Sequence, residues 1–178
     1  PERWRVHFPT HMDEDPERLL SDEHIQSQLQ RFLPNERPYE IVHRILYTVH
    51  QRVAATFNRG RAILAGDAAH VNSPIGGMGM NSGIHDAVNL GEKLTAILAG
   101  ESGLEVLDRY TRQRRHVAVN HTKAQTERNR RVLAEKDPAV RKANHESLTR
   151  TANDPELARA YLMRTSLINS VREAAAIL

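Results

Sequence analysis

The stretch that decides the fold runs from Gly60 to Leu90, GRAILAGDAAHVNSPIGGMGMNSGIHDAVNL. Ala62, Ile63, Leu64 and Ala65 form a short continuous apolar run, the pattern of a strand buried on both faces. Gly66 then lets the backbone turn, which sets Asp67 at the carboxyl end of that strand, where ligands gather in open α/β sheets. Next comes Pro74-Ile75-Gly76-Gly77-Met78-Gly79-Met80-Asn81, a loop whose glycines would let a planar ligand lie against bare backbone. The loop feeds the amides of a helix start, so an anionic group is expected beside it. That helix is predicted from about Ser82 to Ala99, with Ile84, Ala87, Val88, Gly91, Leu94 and Leu98 on one face and Gly100 as its stop. Gly91 lowers helix stability, and its position predicts close approach to the sheet beneath. Asp86 reads as an acid favoured by the helix dipole.

Upstream, Trp4-Arg5-Val6-His7-Phe8-Pro9 alternates like a half-buried strand. Asp15-Pro16 and Ser21-Asp22-Glu23 are capping signals opening a helix whose apolar residues Ile25, Leu29 and Phe32 recur at helical spacing, and Pro34 ends it. Tyr39 to Ala55 is rich in β-branched and aromatic residues, with Ile41, His43, Ile45, Tyr47 and Val49 on one face, and reads as a sheet strand. His43 and Tyr47 are read as packing residues with one satisfied polar tip.

Downstream, a second long helix is predicted from Leu104 to about Glu135, with Leu107, Tyr110, Arg114, Val117, His121 and Ala124 along one stripe. Arg112, Arg115, Arg128, Arg130 and Arg131 make its basic, solvated exterior. Asp137-Pro138 and Asp154-Pro155 each place a capping acid before a proline, which predicts helices over 138–150 and 155–176.

Only 39% of the 178 residues are hydrophobic and 4% aromatic, lean for an independent core, so a partner surface is expected to complete it. The absence of cysteine excludes disulfide and thiolate chemistry, and no run spans a membrane or reads as a signal peptide, which predicts a cytoplasmic protein. A net charge of +3, with basic residues interleaved among acids, argues against nucleic acid as a partner. The ten histidines show no ligand spacing that predicts a metal site, and His70 and His85 belong to no such cluster.

The combination of Gly60-Arg61, Gly66-Asp67-Ala68-Ala69-His70, Pro74, Gly76-Gly77, Gly79, Asn81, Gly83, Asp86 and Asn89-Leu90 in one register resembles the second flavin fingerprint of FAD-dependent aromatic hydroxylases of the para-hydroxybenzoate hydroxylase type. The resemblance implies an α/β fold class. It comprises a partial FAD-binding domain, Rossmann-like and of the glutathione-reductase type, with part of a substrate-domain sheet and a helical C-terminal tail. Residues 1–55 would belong to the substrate-binding sheet domain, 56–103 to the FAD-binding domain and 104–178 to the helical region, which would wrap the flavin domain or form a dimer contact. The cofactor-binding residues implied are Gly66, Asp67, Pro74, Gly76, Gly77, Gly79, Met80 and Asn81. In that family pattern the Asp67 carboxylate accepts from a ribityl or ribose hydroxyl of FAD and Pro74 lies against the isoalloxazine edge. The backbone of Gly79, Met80 and Asn81 faces the flavin pyrimidine ring. The chemistry implied is hydroxylation of a phenolic or other aromatic substrate with O2, using NADH or NADPH, through a flavin hydroperoxide; no side chain is assigned as catalytic.

That family also carries a Gly-x-Gly-x-x-Gly turn for the pyrophosphate, and no such turn occurs here. The chain, which starts at Pro1, is therefore expected to be the C-terminal portion of a longer enzyme that supplies the missing part. Flavin-dependent halogenases and isoprenoid reductases share a similar Gly-Asp motif, and Trp4-x-Val6-x-Phe8-Pro9 is similar to a halogenase strand. A non-catalytic module retaining part of the flavin fold is the other alternative.

Overall fold

Capping chemistry punctuates the chain where the sequence places it. The computed structural model describes residues 2–178 as mixed α/β, mostly helical with two small sheets, in two compact units that divide between Thr48 and Val49.

In the first unit Asp15 accepts from the Glu17 amide at 3.0 Å and opens α1 (Pro16–Leu19), and Ser21 accepts from the His24 amide at 3.2 Å and opens α2 (Asp22–Phe32). A turn around Leu20 separates them where one helix was expected. Gln26 in α2 both donates to the Tyr39 carbonyl at 2.7 Å and accepts from its amide at 3.0 Å, tying the following segment down. The strands expected over 4–9 and over most of 39–55 do not form. Alternation describes a surface fit for a sheet, but a strand exists only with a ladder partner, and none faces these segments among the described residues. Phe32 is exposed, and Leu19 is buried, alone among the described residues of this unit.

In the second unit β1 (Arg52–Val53) pairs antiparallel with β4 (His70–Val71), and β2 (Asn58–Arg59) with β3 (Ala62–Ile63) through a tight turn at Gly60, whose φ is +59°. The apolar run 62–65 is thus a short hairpin arm with Leu64 exposed, rather than a strand buried on both faces. Between β3 and β4 residues Gly66–Ala68 form a single 3₁₀ turn. Phe57, Ala69, Tyr110 and Ala118 make the core, lined by Val53, Ala54, Ile63 and Leu90.

Helices carry the rest of the second unit's packing. α3 (Met78–Leu98) crosses α4 (Val106–Val117), which continues through a π-helical segment, Ala118–Lys123, into α5 (Ala124–Ala134). The tail forms α6 (Pro138–Asn153), α7 (Pro155–Thr165) and α8 (Ile168–Ala175), with α7 and α8 separated at Leu167, a buried residue held left-handed at φ +61°.

The orientation of α3 reverses the expectation. Its polar residues Ser82, Asp86, Asn89 and Lys93 lie on one face and turn inward: Ser82 meets Thr122 at 3.4 Å, Asp86 meets Arg114 at 2.6 Å, and Asn89 and Lys93 both reach Gln113, at 3.0 and 2.9 Å. Every one of these groups is satisfied by its neighbour, which is what allows a polar seam to be buried. The apolar face Ile84, Ala87, Val88, Gly91, Leu94 and Leu98 is exposed instead, Val88 at 58% and Leu98 at 88%. A Cβ built on Gly91 would meet no described residue outside its own helix within 4 Å, so its expected close packing is absent.

Candidate functional site

The turn that carries Asp67 is fixed from both sides by side chains of the helices behind it. Tyr110, fully buried in α4, donates its hydroxyl to the Leu64 carbonyl at 2.8 Å, and Asp86 in α3 accepts from the Gly66 amide at 2.9 Å. Gly66 sits at φ +57°, and a Cβ built on Gly83 would come within 3.4 Å of the Gly66 Cα, so this contact brings helix and turn together backbone to backbone. Asp67 follows with its side chain exposed and with no hydrogen bond or ion pair to any described residue.

Asp86 is the anchor of this arrangement. Fully buried in the third turn of α3, it is not a helix-start acid: its two oxygens receive Arg114 Nε at 2.6 Å and His70 Nε2 at 2.7 Å. Burial by itself would push its carboxyl up. The His70 hydrogen bond and the Arg114 charge outweigh that and hold it below the usual carboxylate range. Burial and the Asp86 charge push the Tyr110 hydroxyl up, so it stays a donor. Burial, then the Arg114 charge, lower His85. Phe57 stacks on His70 with ring centroids 5.9 Å apart and closes the cluster against the core.

The glycine loop forms a turn in which the Gly77 amide donates to the Pro74 carbonyl at 3.1 Å, with Gly76 and Gly77 at φ +94° and +65°. α3 begins at Met78 rather than near Ser82, and no side chain caps it and no acid lies in its first turn. Asn81 donates to the Gly77 carbonyl at 2.9 Å, and Met80 projects into solvent at 75% exposure. Gly79 is helical and not left-handed; a Cβ built there would lie 3.5 Å from Asn72 Oδ1 and 4.0 Å from Asp67 Oδ1. Asn72 Oδ1 is buried without a hydrogen-bond partner among the described residues.

The structure therefore brings Asp67 and Gly79 together beside Asn72, while Gly66, next to Asp67 in the chain, packs on Gly83 of α3. Gly76 and Asn81 also line, with Met78, Thr165, Ser166 and Leu167, a cavity of about 300 Å³ on another side of the loop, while Pro74 and Met80 are exposed. Sequence reasoning missed Asn72, His70, Tyr110 and Arg114 as positioning groups. The available signal was Arg114 itself, a charged residue within the apolar stripe of Leu107, Tyr110 and Val117.

A model of the FAD binding domain family matches residues 2–125. The chain is 38% identical over 151 residues to the 3-(3-hydroxy-phenyl)propionate/3-hydroxycinnamic acid hydroxylase of Mycobacterium avium (strain 104), covering 79% of this chain and 25% of that protein. It is 35% identical over 160 residues to the para-nitrophenol 4-monooxygenase of Pseudomonas sp. (strain WBC-3), covering 86% of this chain and 40% of the relative. The crystal structure of p-nitrophenol 4-monooxygenase from Pseudomonas putida DLL-E4 superposes with a TM-score of 0.75 at 31% identity, over 91% of this chain and 40% of that one.

Proposed function

The chain belongs to the FAD binding domain family, and from that premise we propose that it forms the flavin-facing part of an FAD-dependent aromatic monooxygenase. The observation that carries this reading is the convergence of three features on one backbone surface. The unpartnered Asn72 Oδ1 and the free Asp67 carboxylate lie over Gly79, beside helix-start amides that no side chain caps. Hydroxyl donors fit the two oxygens, and an electron-rich ring fits the amides.

In this proposal Asp67 accepts from a ribityl or ribose hydroxyl of FAD, and Pro74 lies against the isoalloxazine edge. The backbone of Gly79, Met80 and Asn81 faces the pyrimidine ring, while Gly66, Gly76 and Gly77 supply the left-handed turns that shape the surface. Bound FAD supplies hydride acceptance from NADH or NADPH and the activation of O2 that delivers one oxygen atom to a phenolic ring. The residues of this chain hold and polarise. Asp86, Tyr110 and Arg114 fix the Asp67 turn, and the start of α3 presents positive backbone dipole where negative charge develops on reduction.

Because the chain spans 25% and 40% of the length of the two relatives named above, we also propose that the remainder of the FAD-binding domain packs on the exposed stripe Ile84, Val88, Leu94 and Leu98. A second copy of the chain is the competing occupant. On this reading residues 1–55 contribute to the substrate domain, 56–103 to the FAD-binding domain and 104–178 to the helical region behind it. We place the enzyme in the cytoplasm, in keeping with its lack of cysteine. No helix among the described residues is long and apolar enough to cross a membrane.

The test is turnover by the polypeptide encoded by the whole reading frame containing these residues. NAD(P)H consumption should rise severalfold on adding a phenol, with one hydroxylated product per reductant when coupling is tight. Chloride- or bromide-dependent product without direct nicotinamide use would instead identify a halogenase, and bound FAD with no turnover of any phenol would remove the hydroxylase reading.

A further inference from the structure

His116 lies in the last turn of α4, His121 in the π-helical segment and Glu173 in α8. In an uninterrupted α-helix residues five apart stand about 140° apart around the axis, so the two imidazoles would diverge. The segment Ala118–Lys123 bonds in the i→i+5 pattern instead, which swings the fifth residue back over the first. The rings consequently meet with centroids 5.7 Å apart. Glu173 reaches across from α8, its Oε2 2.9 Å from His121 Nε2 and 3.8 Å from His116 Nε2. One ligand atom from each residue lies within 4.8 Å of the others.

We propose that His116, His121 and Glu173 form a binding site for a divalent transition metal of the zinc type, with three protein ligands and a fourth position open to solvent. Zinc bonds to imidazole nitrogen and carboxylate oxygen of about 2.0–2.2 Å in a tetrahedron separate the ligand atoms by about 3.4 Å, and the spacings present bracket that value. Two imidazoles select zinc, nickel or copper over magnesium and calcium, which take oxygen ligands. Asn120 places its Nδ2 2.9 Å from His116 Nδ1, and metal binding through Nε2 requires that amide to turn over so that its oxygen accepts the Nδ1 proton.

The side chains are 35%, 17% and 55% exposed, so the ion has an entry path. Beside the triad a cavity of about 260 Å³ is lined by Asn120, His121, Arg128, Arg131 and Arg164. The guanidinium charge there opposes a cation and favours an anion as the fourth ligand, which makes this a weaker site than an enclosed structural one. A bound ion would clip α8 onto the α4–α5 helix across the π segment and stabilise the chain by linkage.

The test uses the full chain without an affinity tag, stripped with chelator and titrated with Zn²⁺ by calorimetry, with melting temperature and far-ultraviolet dichroism followed in parallel. One equivalent should bind, and the melting temperature should rise with Zn²⁺ and not with Mg²⁺. His121→Ala, His116→Ala and Glu173→Gln should each weaken zinc by at least about tenfold, since each removes one of three protein bonds to the ion. Glu173→Gln keeps the shape of the side chain, so zinc lost with unchanged helical content reads the site and not the fold. His145→Ala, an exposed histidine in α6, should bind like the parent. Unchanged zinc affinity in either His121→Ala or Glu173→Gln, or a stabilisation shared equally by Mg²⁺, would overturn the proposal and leave only the contact of Glu173 with the two imidazoles.

Discussion

The Asp86 carboxylate and the Arg114 guanidinium meet at 2.6 Å with both side chains sealed from solvent, joining α3 to α4 directly behind the Asp67 turn. Arg114 also donates to the Ser82 carbonyl at 3.3 Å, and the second Asp86 oxygen is shared by His70 and the Gly66 amide. One carboxylate thus fixes two helices and the strand end that carries the candidate site. Removing one member of a buried pair leaves the other charged and unpaired. Asp86→Ala should therefore cost about 3–5 kcal/mol of unfolding free energy, and Arg114→Met a similar amount. Because both mutations break the same pair, the double variant should cost clearly less than their sum in urea unfolding. Additive losses would show that the pair is not a coupled unit.

The same carboxylate sets an acid limit on stability. Its folded pKa lies below the ordinary value of 3.8, so its contribution is complete above that value and is lost as the pH falls through the lower, folded one. His85 is lowered from 6.5, mainly by burial, so folding favours its neutral ring; that contribution is complete above 6.5 and declines as the pH drops below it. Urea midpoints should be level from neutrality to mildly alkaline pH, fall gently below pH 6.5 and fall steeply below pH 3.8. Asp86→Asn should flatten the steep limb and, by removing the carboxylate charge that raises His85, deepen the gentle one.

Gly79 separates ligand contact from folding. Its backbone is not left-handed, and an added Cβ meets Asn72 and Asp67 only at ordinary contact distance, so Gly79→Val should fold. The branched side chain would nonetheless occupy the surface between Asn72 and Asp67 and hold a flavin ring off the amides of α3. Reduced, anionic flavin should lose more than oxidised flavin; a tenfold difference corresponds to a potential lowered by about 30 mV for a two-electron couple. Potentiometry of the FAD-loaded polypeptide reads this, and increased peroxide release should accompany it. An unchanged potential would place the ring elsewhere.

Local signals were legible in the sequence and non-local ones were not. The caps at Asp15, Ser21, Asp137 and Asp154 act where their residue types place them, because a side chain bonding an amide two or three residues on needs no tertiary partner. The Gly-Asp turn and glycine loop were legible for the same reason. The buried face of α3 was not. Apolar periodicity points inward by default, but here Gln113, Arg114 and Thr122 offer partners for every polar residue of the opposite stripe. The π segment and the break at Leu167 also leave no mark in periodicity, since each changes the backbone register without a glycine or proline. The 28-position separation of Asp86 and Arg114 obeys no spacing rule.

FAD affinity in Asp67→Ala, measured in the complete polypeptide that contains this chain, reads most directly whether the Asp67 turn holds the cofactor. Asp67 is exposed and bonded to no described residue, so the substitution should leave urea stability within about 0.5 kcal/mol of the parent. Loss of a charged acceptor to a flavin hydroxyl is worth about 1.5–3 kcal/mol, so the FAD dissociation constant should rise roughly ten- to a hundredfold. An unchanged dissociation constant in the folded variant would contradict the assignment of this turn to the cofactor.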